Sequence, residues 1–177
     1  MTSRITFLGS ESTGKTTLSY EMYKIYGDTS VWTYEFARPY LEKFGARELR
    51  HSDMHIIWKA QAVLQDMADL TGAGDYIFQD TDLFATLGYW RFWDPHWNAK
   101  SLAEDAVARK SDFYFITQSN IPFESDPLRY GGDKRELNDR LWVNLCEEFN
   151  LPFHVIQSST LEERIAEVED KIEELEL

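Results

Sequence analysis

The clearest chemical signature in the chain lies at residues 9–16, which read GSESTGKT. They match the pattern G-x-x-x-x-G-K-[ST], in which backbone N–H groups, a lysine and a hydroxyl can surround a chain of phosphates. Lys15 is predicted to bridge the β- and γ-phosphates of ATP, and the Thr16 hydroxyl to bind Mg²⁺. The residues predicted to bind the nucleotide are Gly9, Ser10, Glu11, Ser12, Thr13, Gly14, Lys15, Thr16 and Thr17.

Two carboxylates follow the apolar run YIFQ at residues 76–79, namely Asp80 and Asp82. An apolar strand with an aspartate at its C-terminal end is typical of the Walker B arrangement. There the carboxylate faces the phosphate loop and orients Mg²⁺ or accepts a proton from the acceptor hydroxyl. Asp80 is therefore predicted to be catalytic and to contact both metal and substrate, and Asp82 to contact substrate. The alternative is that an aspartate here only caps the next helix, and this applies most directly to Asp82.

A third carboxylate, Glu35, lies at the end of the predicted strand VWTYEF, one residue before Phe36, and is followed by Arg38. Because the carboxyl ends of parallel strands converge on one crevice, Glu35 and Asp80 are predicted to approach the same substrate, and either could accept its proton. Tyr34 and Arg38 are predicted to line the same site. The alternative for Glu35 and Arg38 is an ion pair on the surface.

Residues 122–135 have the composition of a mobile loop, with two prolines, two glycines and the cations Arg129, Lys134 and Arg135. In a phosphotransferase, a basic loop of this kind closes over ATP, excludes water and stabilises the transferring phosphoryl group. The segment is therefore predicted to be a lid, with Arg129 as its catalytic and nucleotide-binding arginine.

The predicted elements alternate between short apolar strands and helices, which is typical of a parallel sheet with helices on both faces. We predict an α/β fold of the P-loop NTPase class, a three-layer sandwich with five strands in one domain over residues 1–177. The apolar stripe of an acidic last helix, at about 160–176, predicts that this helix docks onto the sheet rather than forming a dimerising coiled coil. The predicted strands are 4–9, 31–36, 76–79, 113–117 and 153–157, and the predicted helices after the first are 52–70, 81–93, 97–109 and 134–149.

The net charge and the lengths of the apolar runs limit the kinds of partner that we expect for this protein. The formal net charge is −13, and such a surface repels nucleic-acid phosphates, so no nucleic-acid partner is expected. No apolar run reaches the ~20 residues needed to span a bilayer, and no leader-like segment precedes the first strand, so we expect a cytoplasmic protein without a membrane partner. A homo-oligomer is left open.

Taken together, the motifs resemble the ribosylnicotinamide kinase domain found at the C-terminus of the bacterial NAD-biosynthesis regulator. The resemblance covers roughly residues 4–170 and implies ATP-dependent phosphorylation of the ribose 5′-hydroxyl of nicotinamide riboside, giving nicotinamide mononucleotide. It implies ATP and Mg²⁺ as cofactors. The sequence contains no DNA-binding region or H-x-G-H signature, so a stand-alone kinase is expected. The segments that carry the resemblance are GSESTGKTTL at 9–18, EFAR at 35–38, DTD at 80–82, PFESDPLR at 122–129 and DKRE at 133–136.

The proposed acceptor carries a cationic pyridinium ring, which an acidic crevice with aromatic walls would favour. Residues 89–97, YWRFWDPHW, hold five aromatic side chains and follow the Asp80 strand. Trp90 is the ring predicted to contact the substrate, although packing in the core is an alternative for every ring here. Two other functions stay open: a P-loop kinase for another nucleoside or nucleotide, and a nucleotide-hydrolysing switch that needs no acceptor.

Overall fold

Strands and helices alternate through a computed structural model of the chain, which describes residues 2–45, 49–71, 74–124 and 135–177. The strands are β1 (Ser3–Gly9), β2 (Ser30–Thr33), β3 (Tyr76–Asp80), β4 (Phe113–Thr117) and β5 (Phe153–Val155). The helices are α1 (Lys15–Tyr26), α2 (Ala37–Phe44), α3 (His51–Thr71), α4 (Leu83–Trp93), α5 (Lys100–Ala108), α6 (Arg135–Glu148) and α7 (Leu161–Glu174), with a 3₁₀ turn at Gly27–Thr29.

The strands of the described residues form one parallel sheet in the order β2-β3-β1-β4-β5. All five residues of β4 are buried, as are the last five of β1, which explains why both read as nearly continuous apolar runs. The five-stranded parallel sheet confirms the predicted fold class. Because β1 is central, the phosphate loop that follows it lies between the ends of β3 and β4.

Helices cover both faces of this sheet and create two apolar clusters. On one face, Leu18 and Met22 of α1 meet Val168 and Ile172 of α7 over the strands. On the other face, side chains of α3, α4, α5 and α6 form a larger cluster that includes the fully buried Trp142. The last helix thus docks onto the sheet through Val168 and Ile172. The apolar residues at the two ends of its predicted stripe, Leu161 and Leu175, are more than one-third exposed. A capping box between Thr160 and Glu163 begins that helix.

The structure differs from the sequence prediction at two places near the candidate site, the end of one strand and a helix that follows it. The strand predicted over 31–36 ends at Thr33, so Glu35 lies in the connection that follows β2. The helix α2 comes directly after it and was not predicted from the sequence. Pro39 occupies the first turn of this helix, where an N–H has no partner within the helix and proline is tolerated.

Helix α4 begins at Leu83 rather than at residue 81, and α5 begins at Lys100 rather than at Trp97. Within the described ranges, the structure contains no helix that is both long and apolar enough to cross a membrane.

Gly88 allows α4 and α6 to approach closely, and this contact gives a first prediction. A Cβ on Gly88 would lie 2.8 Å from ring carbon Cζ3 of Trp142 and 3.3 Å from Cδ2 of Leu141. Overpacking should make Gly88→Ala cost about 1–3 kcal/mol of unfolding free energy, measured by urea titration. Helix propensity alone would change the free energy in the opposite direction by about 1 kcal/mol.

A double-mutant cycle serves as the control for this prediction. In a Trp142→Phe background the indole carbon that causes the clash is gone, so the alanine should cost less than in the wild-type protein. If Gly88→Ala stabilises the wild-type protein, the close packing of these helices is not limiting.

Candidate functional site

The phosphate loop connects the end of β1 to the start of α1 through a tight turn. Gly9 must be glycine, because a Cβ there would lie 2.2 Å from Oγ1 and 2.5 Å from the carbonyl oxygen of Thr117. Gly14 has φ of 82°, the left-handed region, and begins α1 as its N-cap. The Lys15 side chain is 8% exposed, and its Nζ donates to the Ser10 carbonyl at 2.9 Å. The loop therefore already curls around its lysine.

Hydrogen bonds within the loop and from distant parts of the chain fix the shape of this loop. Thr13 Oγ1 donates to the Ser10 carbonyl at 2.8 Å. Ser10 Oγ donates to the Asp139 carboxylate at 3.2 Å and accepts from Nε1 of Trp142 at 3.3 Å. The same carboxylate accepts the backbone N–H of Ser119 at 3.0 Å. Helix α6 thus joins the phosphate loop to the segment after β4.

An open cleft lies beside the phosphate loop, with walls from α2, α3 and α4. It combines charged side chains near the loop with an apolar and aromatic wall opposite. The lining residues are Glu11, Ser12, Lys15, Thr16, Glu35, Ala37, Arg38, Leu41, Leu49, Met54, Ile57, Gln61, Thr81, Ala85, Thr86, Tyr89 and Trp93.

Glu35 is a carboxylate of this cleft whose pKa is raised above its ordinary value. Burial raises its pKa, Lys15 opposes that rise, and the negative charge of Asp80 adds to it, so that the pKa lies at about 6. Such a group is ionised at neutral pH yet binds a proton more readily than an ordinary glutamate. Glu35 is therefore suited to accept a proton from a hydroxyl group in the cleft.

Gln61 of α3 holds the backbone on both sides of Glu35. Its Oε1 accepts the N–H of Phe36 at 2.9 Å, and its Nε2 donates to the Tyr34 carbonyl at 3.5 Å. Gln61 is only 2% exposed. It was not predicted from the sequence, although a glutamine among the apolar residues Ile57, Trp58 and Ala62 of the buried face of α3 is a signal that could have identified it.

Asp80 ends β3 and is 2% exposed. It pairs in register with Phe7 of β1, two residues before the phosphate loop, while the preceding residue, Gln79, pairs with Thr33 at the end of β2. The chain thus brings Asp80, Glu35 and Lys15 to one end of the sheet, where the charges of both other groups act on Glu35.

Asp82 lies in a different environment, where its carboxylate caps the start of a helix. One carboxylate oxygen accepts the N–H groups of Phe84 at 2.8 Å and Ala85 at 3.2 Å, and the other accepts the Tyr114 hydroxyl at 2.9 Å. Asp82 is 1% exposed, is absent from the cleft walls and is the N-cap of α4. Burial raises its pKa to about 6 despite these hydrogen bonds. The capping alternative therefore describes Asp82.

The aromatic segment divides according to the faces of α4. Trp90 is 2% exposed and stacks on Trp97 with ring centroids 3.5 Å apart, so it belongs to the core and not to the cleft wall where we expected it. Tyr89 and Trp93, four residues apart, line the cleft instead. Tyr34 is 41% exposed and lies outside the cleft lining.

Arg38 lines the cleft as expected, and its Nε lies 3.2 Å from the Glu42 carboxylate, one helical turn away. The predicted lid falls mostly outside the described residues. Arg129 and Lys134 are among those that are not described, so their roles stay predictions. Arg135 is the first residue of α6.

Thr16 and Asp80 are chemically suited to hold Mg²⁺, because hydroxyl and carboxylate oxygens are the hard ligands that this ion prefers. Thr16 lies on the cleft wall beside Lys15, whereas Asp80 is not among the lining residues and ends the strand next to β1. Both therefore lie near the end of β1 from which the phosphate loop begins.

The glycine loop between β1 and α1, at the carboxyl end of a parallel sheet, defines a P-loop nucleotide-binding fold. A family described as an AAA domain matches residues 4–164, and the chain belongs to that family.

Individual relatives refine this assignment. The trifunctional NAD biosynthesis/regulator protein NadR of Escherichia coli strain K12 is 27% identical over 179 residues, covering 97% of this chain and 42% of its own length. The chain therefore spans less than half of that relative. A crystal structure of NadR in complex with NR superposes with a TM-score of 0.76 at 19% identity, covering 96% of this chain and 49% of that chain. Thymidylate kinase from Ehrlichia chaffeensis gives a TM-score of 0.68 at 16% identity, covering 97% and 98%. These solved structures share the fold.

The assignment of Asp82 as a structural residue leads to a second prediction. Asp82→Ala removes a helix cap and leaves the buried Tyr114 hydroxyl without its acceptor, so it should cost about 2–4 kcal/mol of unfolding free energy. The near-isosteric Asp82→Asn should fold and form ADP from ATP within about threefold of the wild-type rate, because ordinary substitutions away from the reacting atoms leave the chemistry intact.

Tyr114→Phe is the matched control, since it removes the same hydrogen bond from the other side. A well-folded Asp82→Asn protein that loses about a hundredfold or more in rate would return Asp82 to the reacting groups.

Proposed function

We propose that the chain is an ATP-dependent kinase that transfers the γ-phosphate to the ribose 5′-hydroxyl of nicotinamide riboside, giving nicotinamide mononucleotide. The observation that carries the proposal is the shared cleft. Lys15 and Thr16 of the phosphate loop form one wall, and Glu35 faces the same space. A phosphate donor and a hydroxyl acceptor can meet there.

In this mechanism the N–H groups of the phosphate loop and the Lys15 ammonium bind the phosphates and stabilise the charge that develops on them. Glu35 accepts the proton of the attacking hydroxyl, and Gln61 fixes the backbone from which Glu35 projects. Mg²⁺, held by Thr16 and Asp80 when bound, would neutralise charge on the phosphates. We further propose that residues 1–177 form a single kinase domain whose lid supplies Arg129.

The charges and rings of the cleft support a cationic acceptor. Glu11, Glu35 and the neighbouring Asp80 outnumber the cations Lys15 and Arg38. The aromatic residues Tyr89 and Trp93 provide faces on which a pyridinium ring can be held by cation–π attraction. The similarity to NadR over 97% of this chain, and to a NadR structure that contains NR, supports the same substrate.

Two observations are also consistent with the two alternative functions, a kinase for another acceptor and a nucleotide-hydrolysing switch. The fold matches a thymidylate kinase along nearly the whole of both chains, which is consistent with a different nucleoside or nucleotide as acceptor. Membership of the AAA domain family is equally compatible with a nucleotide-hydrolysing switch.

The proposal predicts which acceptor stimulates release of ADP. Purified protein with ATP and Mg²⁺ should release ADP rapidly when nicotinamide riboside is present, and slowly with other ribonucleosides, deoxyribonucleosides, nucleoside monophosphates or no acceptor. Lys15→Ala should abolish the stimulated rate while the protein stays folded, because the phosphates lose their cation.

The alternatives give different patterns in the same assay. Stimulation by another nucleoside or by thymidylate keeps the kinase and excludes the proposed substrate. A rate that ignores every acceptor is the signature of a switch, and it would show that the carboxylates of the cleft do not serve an acceptor.

The raised pKa of Glu35 predicts the pH dependence of the reaction. Since Glu35 must be ionised to accept a proton, kcat/KM should fall about tenfold per pH unit below about pH 6. Asp80→Asn removes a negative charge that raises the Glu35 pKa, so this acidic limb should move to lower pH, together with a loss of kcat of about a hundredfold or more. Glu35→Gln should abolish the limb.

The same pH profiles discriminate between the two candidate bases. If Asp80→Asn abolishes the limb and Glu35→Gln preserves it, Asp80 is the proton acceptor.

A further inference from the structure

Arg164 is a buried cation in an otherwise acidic helix. It is 3% exposed, and its guanidinium donates hydrogen bonds to three separate segments of the chain. Nη1 donates to the Thr13 carbonyl at 2.7 Å, Nε to the Ser158 carbonyl at 2.9 Å and Nη2 to Oδ1 of Asn120 at 2.5 Å. One side chain of α7 therefore joins the phosphate loop to the segments that follow β4 and β5.

The bond to the Thr13 carbonyl fixes a particular peptide of the phosphate loop. The described chain contains no cis peptide bonds, so the C=O of Thr13 and the N–H of Gly14 point in opposite directions. A guanidinium that holds this carbonyl on the α7 side consequently turns the Gly14 N–H away from α7. Loops of this kind bind phosphate through inward-pointing N–H groups.

The absence of a side chain on Gly14 leaves room for this contact. A Cβ at that position would lie 3.1 Å from Nη1 of Arg164. The glycine therefore has two roles: it adopts the left-handed conformation at the start of α1, and it leaves room for the guanidinium behind the loop.

Docking of α7 does not require this cation. Val168 and Ile172 already bury the helix against α1 and the sheet. Taking a guanidinium out of water is unfavourable unless several acceptors compensate for its lost hydration. An apolar side chain at this position would therefore dock the helix with a smaller desolvation cost. Its three backbone and side-chain acceptors indicate a function beyond packing.

We propose that Arg164 is a positioning residue for nucleotide binding, which orients the Thr13–Gly14 peptide so that its N–H faces the phosphates. This inference rests on the proposed nucleotide site and is independent of the acceptor. It assigns the α7 helix a role in binding ATP.

The test compares the dissociation constants of ATP and inorganic tripolyphosphate, both with Mg²⁺, by calorimetry. Arg164→Met should weaken both ligands by about tenfold or more, since a misdirected donor loses a charge-assisted hydrogen bond. Arg164→Lys should fall between Arg164→Met and the wild type, because an ammonium keeps the charge but cannot span three acceptors. The KM for the acceptor should stay unchanged in both variants.

Val168→Ala is the matched control, because Val168 lies one turn further along the same helix, is fully buried and has no place in the cleft. It should lose stability yet bind both ligands as the wild type does. Equal affinities for Arg164→Met and Val168→Ala would overturn the proposal, and Arg164→Lys carries the comparison if the methionine variant does not fold.

Two other outcomes are also decisive. Weakening of ATP alone, with tripolyphosphate unaffected, would place the effect of Arg164 at the nucleoside end and overturn the proposal. A wild-type protein that binds neither ligand overturns the nucleotide site itself, and this inference with it.

Discussion

The Lys15 ammonium lies in a cleft where carboxylates surround it, and this balance of charge constrains everything nearby. Lys15 lowers the pKa of Glu35 while burial, Asp80 and Glu11 raise it. Removing any one of these neighbouring charges would change the proton affinity of Glu35, because electrostatic interactions are only weakly screened in a partly buried site. The positions of the loops that carry these charges must therefore be fixed.

Side chains on the surrounding helices fix these positions. Gln61 of α3 holds the connection that carries Glu35. Trp142 and Asp139 of α6 hold Ser10 of the phosphate loop. Asp82 connects the start of α4 to Tyr114 in the sheet. In each case a side chain satisfies polar groups in an irregular segment, so that the loop keeps one conformation after it is buried.

Features of this arrangement that depend on neighbouring residues could be predicted from the sequence, whereas those that depend on residues far apart in the chain could not. The phosphate loop and the aspartate that ends β3 were predictable, because each depends on a local pattern: an apolar run followed by a fixed set of residues. The position of Glu35 was predicted from the convergence of parallel strands, although its strand ends three residues earlier than expected.

The residues that hold the cleft in place could not be predicted from their neighbours in the sequence. Trp90 and Trp93 belong to one aromatic segment, and only the orientation of α4 decides that the first packs in the core while the second lines the cleft. Gln61 and Arg164 each bond to residues far away in the chain, and nothing in their own neighbourhoods identifies those partners. The residues that bind and react thus have local signatures, whereas those that hold them in place do not.

The hydrogen bond between Arg164 and Thr13 also links two segments that lie far apart along the polypeptide, since 151 positions separate the two residues. Contacts of such long sequence separation form late, because the entropy of closing a long loop must first be overcome. During synthesis the phosphate loop leaves the ribosome before α7 does, yet the peptide geometry of that loop is complete only after α7 has been synthesised and has folded back. The loop is thus made earlier than the helix but matures together with it.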